Sequence, residues 1–64
     1  MFTVKKELRF DGVSNRYLVK CGYYPAKRYA VISSHKKLDR GEVLNCVSLV
    51  AKSNSREYLM KKYH

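Results

Sequence analysis

The sequence predicts an α+β domain: a small antiparallel sheet of three to four strands, arranged as a meander, with a C-terminal helix packed on it. Three observations carry this expectation. Apolar and polar residues alternate with a period of two over 2–10 and again over 16–21, the pattern of half-buried strands. Turn-forming residues punctuate the chain at "DGVSN", "GYYPA" and "LDRGE". The last eleven residues carry helix start and stop signals. Short connections between the apolar runs favour antiparallel neighbours. A small all-β barrel is the alternative architecture.

In the first element, Phe2, Val4, Leu8 and Phe10 fall on one side of an alternating strand, with Lys6 among them. Lys6 either extends its stem along the core or guards an edge strand. Asp11-Gly12 marks a hairpin turn, because glycine tolerates the positive φ that tight turns need. Arg16 to Cys21 forms the second strand, with Tyr17, Val19 and Cys21 on one face. Pro25 lacks an amide donor and holds Tyr24 extended, so 22–26 reads as loop. The third strand runs from about Arg28 to Ser34. The loop after it turns near Asp39 to Gly41. "VLNCVSLVA", residues 43–51, is the most apolar run, and its three valines predict a strand buried on both faces. A helix is the rival reading of so short a run. In the final helix Asn54 is the expected cap, with Glu57 three residues later completing a capping box. Leu59, Met60 and Tyr63 form its apolar side, and Lys61 and Lys62 suit the negative end of its dipole.

The chain has 64 residues and constitutes one small basic domain, 1–64. A domain of this size buries only about 60% of its unfolded surface, so a homodimer interface would add useful burial. The composition is 45% hydrophobic, with six Tyr and two Phe, which is too apolar for a disordered basic tail. Nothing approaches the roughly 18 apolar residues of a membrane span, and "MFTVKKELRF" lacks the apolar run of a signal peptide. The expected location is therefore cytoplasmic, with Cys21 and Cys46 reduced.

Net charge is +9, unevenly spread. Residues 12–38 hold six bases and no acid, and residues 43–64 add a further +3. Such a clustered positive field favours polyanions, nucleic acid above all.

Other chemistry finds little support. Cys21, His35, Cys46 and His64 are zinc-ligand types, but none are close in sequence, whereas structural zinc takes its ligands in tight pairs. No metal and no cofactor is expected. Both cysteines read as small buried hydrophobes. A Cys21/His35 nucleophile pair has no motif behind it. Asp39 and Glu42 flank a glycine turn and are expected to serve it. Three scattered glycines make no phosphate loop. The domain is expected to be non-enzymatic.

The stretch "GYYPAKRYAVISSHKK", residues 22–37, mixes three tyrosines with four bases. Single strands are held by stacking on aromatic faces and by neutralised phosphates, and this stretch offers both. Tyr17 and Tyr29 alternate with apolar residues and are expected to be core residues or cross-strand partners. Tyr23, Tyr24, Lys27, Arg28, Lys36, Lys37 and Arg40 are the expected contact residues. Lys52, Arg56, Lys61 and Lys62 form a second basic patch. Lys5 and Lys6 lie outside the acid-free stretch and are expected to matter less. The function this predicts is a binding module for RNA or single-stranded DNA. The alternative is a viral or mobile-element effector that binds and inhibits a host protein complex, since Tyr and Arg also dominate protein interfaces.

Overall fold

The computed structural model describes residues 1–10, 12–22 and 28–63. Strands β1 (Phe2–Glu7), β2 (Asn15–Cys21), β3 (Tyr29–Ser34), β4 (Val43–Leu44) and β5 (Ser48–Ser53) form one antiparallel sheet, and helix α1 (Arg56–Tyr63) follows. The α+β layout agrees with expectation; the strand count is five rather than three to four. The order is β4-β1-β2-β3-β5. The first three strands form the expected meander. The chain then departs from it, reaching the far edge of β1 with β4 before returning to β3 with β5.

Leu44 in β4 and Ser48 in β5 are separated by three residues, yet their strands lie at opposite edges of the sheet. Four residue steps span at most about 14 Å. Four strand spacings in a flat sheet span about 19 Å. The sheet must therefore curl. β4 and β5 do not pair, so it stays open, and the barrel alternative does not hold.

Two apolar clusters cover the two faces. On one face Phe2, Val4, Tyr17, Val19, Cys21, Ala30 and Ile32 pack with Leu38 from the β3–β4 loop. On the other, Leu8, Leu18 and Val31 pack with Leu59 of α1. Tyr17, Leu18 and Val19 are consecutive and all buried, as are Ala30, Val31 and Ile32. The central strands β2 and β3 are thus the ones buried on both faces. The run 43–51 is not. It splits into β4 and β5, sheet-edge elements, and none of residues 43–50 is buried. Its apolar composition mimics that of a doubly covered strand, but its place at the rim leaves little to cover it.

β1 departs from simple alternation. Val4 pairs with Val19 and Lys6 with Leu18, so Lys5 is an extra residue in a β-bulge. The bulge shifts the alternation by one. Leu8 therefore joins the helix-side cluster instead of sharing a face with Phe2 and Val4. The strand ends at Glu7, and Phe10 is exposed rather than buried. Lys6 is exposed, and it pairs across the strands with Leu18 of the helix-side cluster.

The helix starts one residue later than its sequence signal. Ser55 is the cap: its Oγ accepts from the Tyr58 amide at 3.2 Å, and its carbonyl accepts from Leu59 at 3.3 Å. Asn54 Oδ1 instead accepts from the Arg28 amide at 3.1 Å, tying the chain before the helix to the start of β3. Leu59 is fully buried, with Met60 and Tyr63 half-buried beside it, as their spacing predicts. Among the described residues no helix is long and apolar enough to cross a membrane.

Candidate nucleic-acid interface

Four cations converge on one cleft of about 420 Å³. Lys5 and Lys6 come from the β1 bulge, Arg40 from the β3–β4 loop, and Arg56 from the first position of α1. Neighbouring residues of a regular strand point to opposite faces. The bulge breaks that rule and lets Lys5 and Lys6 line the same cleft. β4 pairs only with Phe2 and Thr3, so it stops short of the bulge.

Arg40 is held by a turn tied at several points. The Glu42 amide donates to the Asp39 carbonyl at 3.0 Å, and the Asp39 amide donates to Glu42 Oε1 at 3.2 Å. Gly41 adopts φ +90°, a conformation that suits glycine. Asp39 and Glu42 thus serve the turn, as their spacing predicts. The turn joins β1 through Val4 N–H to the Glu42 carbonyl (2.9 Å) and Gly41 N–H to the Val4 carbonyl (2.8 Å). One step earlier, the Leu38 amide donates to the hydroxyl of buried Tyr17 at 2.9 Å. Arg40 therefore projects from a segment anchored to both β1 and β2.

Buried Val4, Tyr17 and Leu38 line the cleft beside the exposed cations. Among the described residues Glu7 is the one carboxylate that lines it. Among the described residues no carboxylate ion-pairs with any of the four cations. Arg56 also stands where the helix dipole disfavours a cation, so an anion bound here would relieve two repulsions at once.

The residues singled out in the sequence are distributed more widely. Arg40 and Arg56, expected in two separate patches, meet in this cleft. Lys5 and Lys6, expected to matter less, complete it. The signal for them was the Lys-Lys doublet interrupting an alternating strand. Arg28 is exposed just before β3, where its carbonyl accepts from the Cys21 amide at 2.8 Å. Lys36 and Lys37 are exposed in the β3–β4 loop, and Lys52 is exposed on β5. Lys61 shares a shallow groove with Arg56, Glu57 and Met60. Lys62 Nζ lies 5.7 Å from the ring centres of both Tyr58 and Tyr63, and the Arg16 guanidinium lies 5.7 Å from Tyr63. The Arg16–Tyr63 contact helps fasten the helix end to β2, whereas both Lys62 contacts lie within α1. Tyr17 is core, as expected, and Tyr29 is half-buried against the helix-side cluster. Tyr23, Tyr24, Pro25, Lys27, Asp11 and His64 lie outside the described residues.

The cysteines differ from each other. Cys21 is buried and Cys46 is exposed, and both are free thiols. Only Cys21 fits the reading of a buried hydrophobe; Cys46 sits in the exposed link between β4 and β5. Burial pushes the Cys21 thiol up, while Lys52 and the N-terminal ammonium pull it partly back. His35 lines a second cleft of about 480 Å³ with Cys46, Lys36 and Glu42, and Cys21 is not among the residues that line it. Among the described residues no three His, Cys, Asp or Glu side chains gather as a metal site. No protein-family model matches the chain, and no curated protein or solved structure resembles it at a significant level.

Proposed function

We propose that this domain is a non-enzymatic module that binds nucleic acid, RNA or single-stranded DNA, by its phosphate backbone. The convergence of Lys5, Lys6, Arg40 and Arg56 on one cleft carries this reading. They come from three segments far apart in sequence, each positioned by a specific backbone device: a bulge, a tied turn and a helix start. Arginine forks grip phosphate oxygens in pairs, and lysines supply mobile point charges around them. The apolar wall from Val4, Tyr17 and Leu38 suits a sugar. The net charge of +9 would steer a polyanion towards the cleft. Phosphate contacts fix position without reading sequence, so the proposed binding is indifferent to base order.

The test is fluorescence anisotropy of a short labelled single strand, titrated with the protein between about 50 and 200 mM salt. Binding should be present at the low end and fade steeply. The variant Lys5→Gln/Lys6→Gln should bind more weakly while melting like the parent. If the parent fails to bind at low salt, or the variant binds equally well, the reading is wrong. Capture of one acidic host protein by a domain that ignores the oligonucleotide would favour the effector alternative.

A further inference from the structure

The region 43–51 contains nine residues and no charge, in a chain that is 30% charged. Apolar side chains also meet solvent here: Val43 is 53% exposed, Leu49 44% and Val50 37%. Among the described residues β5 pairs with β3 alone, and no other strand lies along its outer edge. A second β-bulge lies here, at Val50, opposite Val31 and Ile32. As the β1 bulge presents two adjacent lysines, this one presents two adjacent apolar residues, Leu49 and Val50, where plain alternation would turn one inward. Exposed edges in monomeric proteins are commonly guarded by charge, proline or brevity. β4, at two residues, is guarded by brevity. β5 has six residues, no proline, and a single base, Lys52, near its end.

We propose that β5 is the contact surface for a second copy of this chain, giving a twofold dimer centred on Leu49 and Val50. Charge selects this occupant. A twofold contact sets each surface against itself. On the basic faces of a +9 chain that would oppose like charges. The uncharged run is the stretch where two copies meet without that penalty. An unrelated partner of a basic domain would be chosen by acidic groups, and this run offers them nothing to pair with. With the twofold axis between Leu49 and Val50, the two Lys52 side chains stand about 17 Å apart along antiparallel edges at 3.3–3.4 Å per residue. That is about two Debye lengths at physiological salt, so their repulsion is screened.

Sedimentation equilibrium of the full chain, without nucleic acid, tests this independently of the proposed function. The apparent mass should rise with concentration towards twice the 7.5 kDa chain mass. Salt should strengthen the association by screening the remaining repulsion, the opposite of its effect on nucleic-acid binding. Leu49→Lys and Val50→Lys should each hold the chain monomeric. A parent that stays monomeric at every concentration overturns the proposal, and leaves the edge to some extended segment of another protein. Dimers that persist in both variants overturn it equally. If neither variant folds, hydrogen exchange of the parent decides. Amides of 48–53 that gain protection with concentration support the dimer, and concentration-independent exchange overturns it.

Discussion

Tyr17→Phe isolates one hydrogen bond on which both the fold and the proposed site depend. Tyr17 is fully buried in β2, and its hydroxyl accepts from the Leu38 amide, 21 residues away, at 2.9 Å. The substitution removes one oxygen and leaves the ring packed. The Leu38 amide then has no acceptor in a buried place. An orphaned buried donor costs about 1–3 kcal/mol. A domain of this length has a total stability of about 3–10 kcal/mol, at 0.05–0.15 kcal/mol per residue. Each kcal/mol lowers the melting temperature by about 4–8 °C at this size, so a mid-range loss of about 2 kcal/mol is a fall of about 8–16 °C. Far-UV circular dichroism measures it. The damage should be local as well as global. Amides of the tied turn, Gly41 and Glu42, should exchange faster, and nucleic-acid affinity should drop because Arg40 hangs from that turn. Tyr29→Phe is the control, since Tyr29 is half-buried against the helix-side cluster on the opposite face. A Tyr17→Phe protein that melts like its parent would show that the loop is not anchored through Leu38, and the account of Arg40 would fail.

Leu59→Ala should cost about 2–5 kcal/mol, enough to unfold a marginal domain, because Leu59 alone on α1 is fully buried against Leu8, Leu18 and Val31; a thermal melt decides. Ser55→Ala should destabilise by about 0.5–2 kcal/mol, and more than Asn54→Ala, because Ser55 caps the helix; urea midpoints that rank the two in reverse would restore Asn54 as the cap. Cys46 should react with a thiol reagent in the folded protein, whereas Cys21 should react only on unfolding. Since the folded Cys21 thiol titrates above its unfolded value of about 8.5, the stability it contributes is present below that pH and lost as pH rises further; Cys21→Ala should flatten that alkaline decline in the urea midpoint.

The elements whose pattern is local were legible. β2, β3, the Gly41 turn and the apolar side of α1 follow from alternation, glycine and helical spacing. What escaped depends on register between strands. One inserted residue in β1 sends Leu8 to the other face, and period-two reading has no means of counting it; Phe10 lies beyond the strand's end and is exposed. The Lys5-Lys6 doublet was visible as a break in alternation, but only pairing shows that it is a bulge. The apolar run 43–51 misled for a different reason. Composition reports how apolar a segment is, and topology decides whether anything covers it; here the cover went to β2 and β3. The helix cap moved by one residue because Asn54 found a partner in the Arg28 amide, a contact across 26 residues. The cationic cleft was legible in parts only. Arg40 and Arg56 were noticed, but in separate patches, and the chain path that unites them with Lys5 and Lys6 is tertiary.

The central claim is that position, beyond total charge, makes the cleft a phosphate site. The most direct measurement is the slope of log affinity against log salt for a single strand, compared between two charge-matched variants. Arg40→Gln/Arg56→Gln removes two cations from the cleft, and Lys36→Gln/Lys37→Gln removes two from outside it. Four phosphates neutralised give a parent slope of about −3, at 0.7–0.9 per contact. The 40/56 variant should bind more weakly and flatten that slope by about 1.5, while the 36/37 variant keeps it nearly unchanged. Equal flattening by both pairs would mean that only net charge counts, and would contradict the cleft as the site.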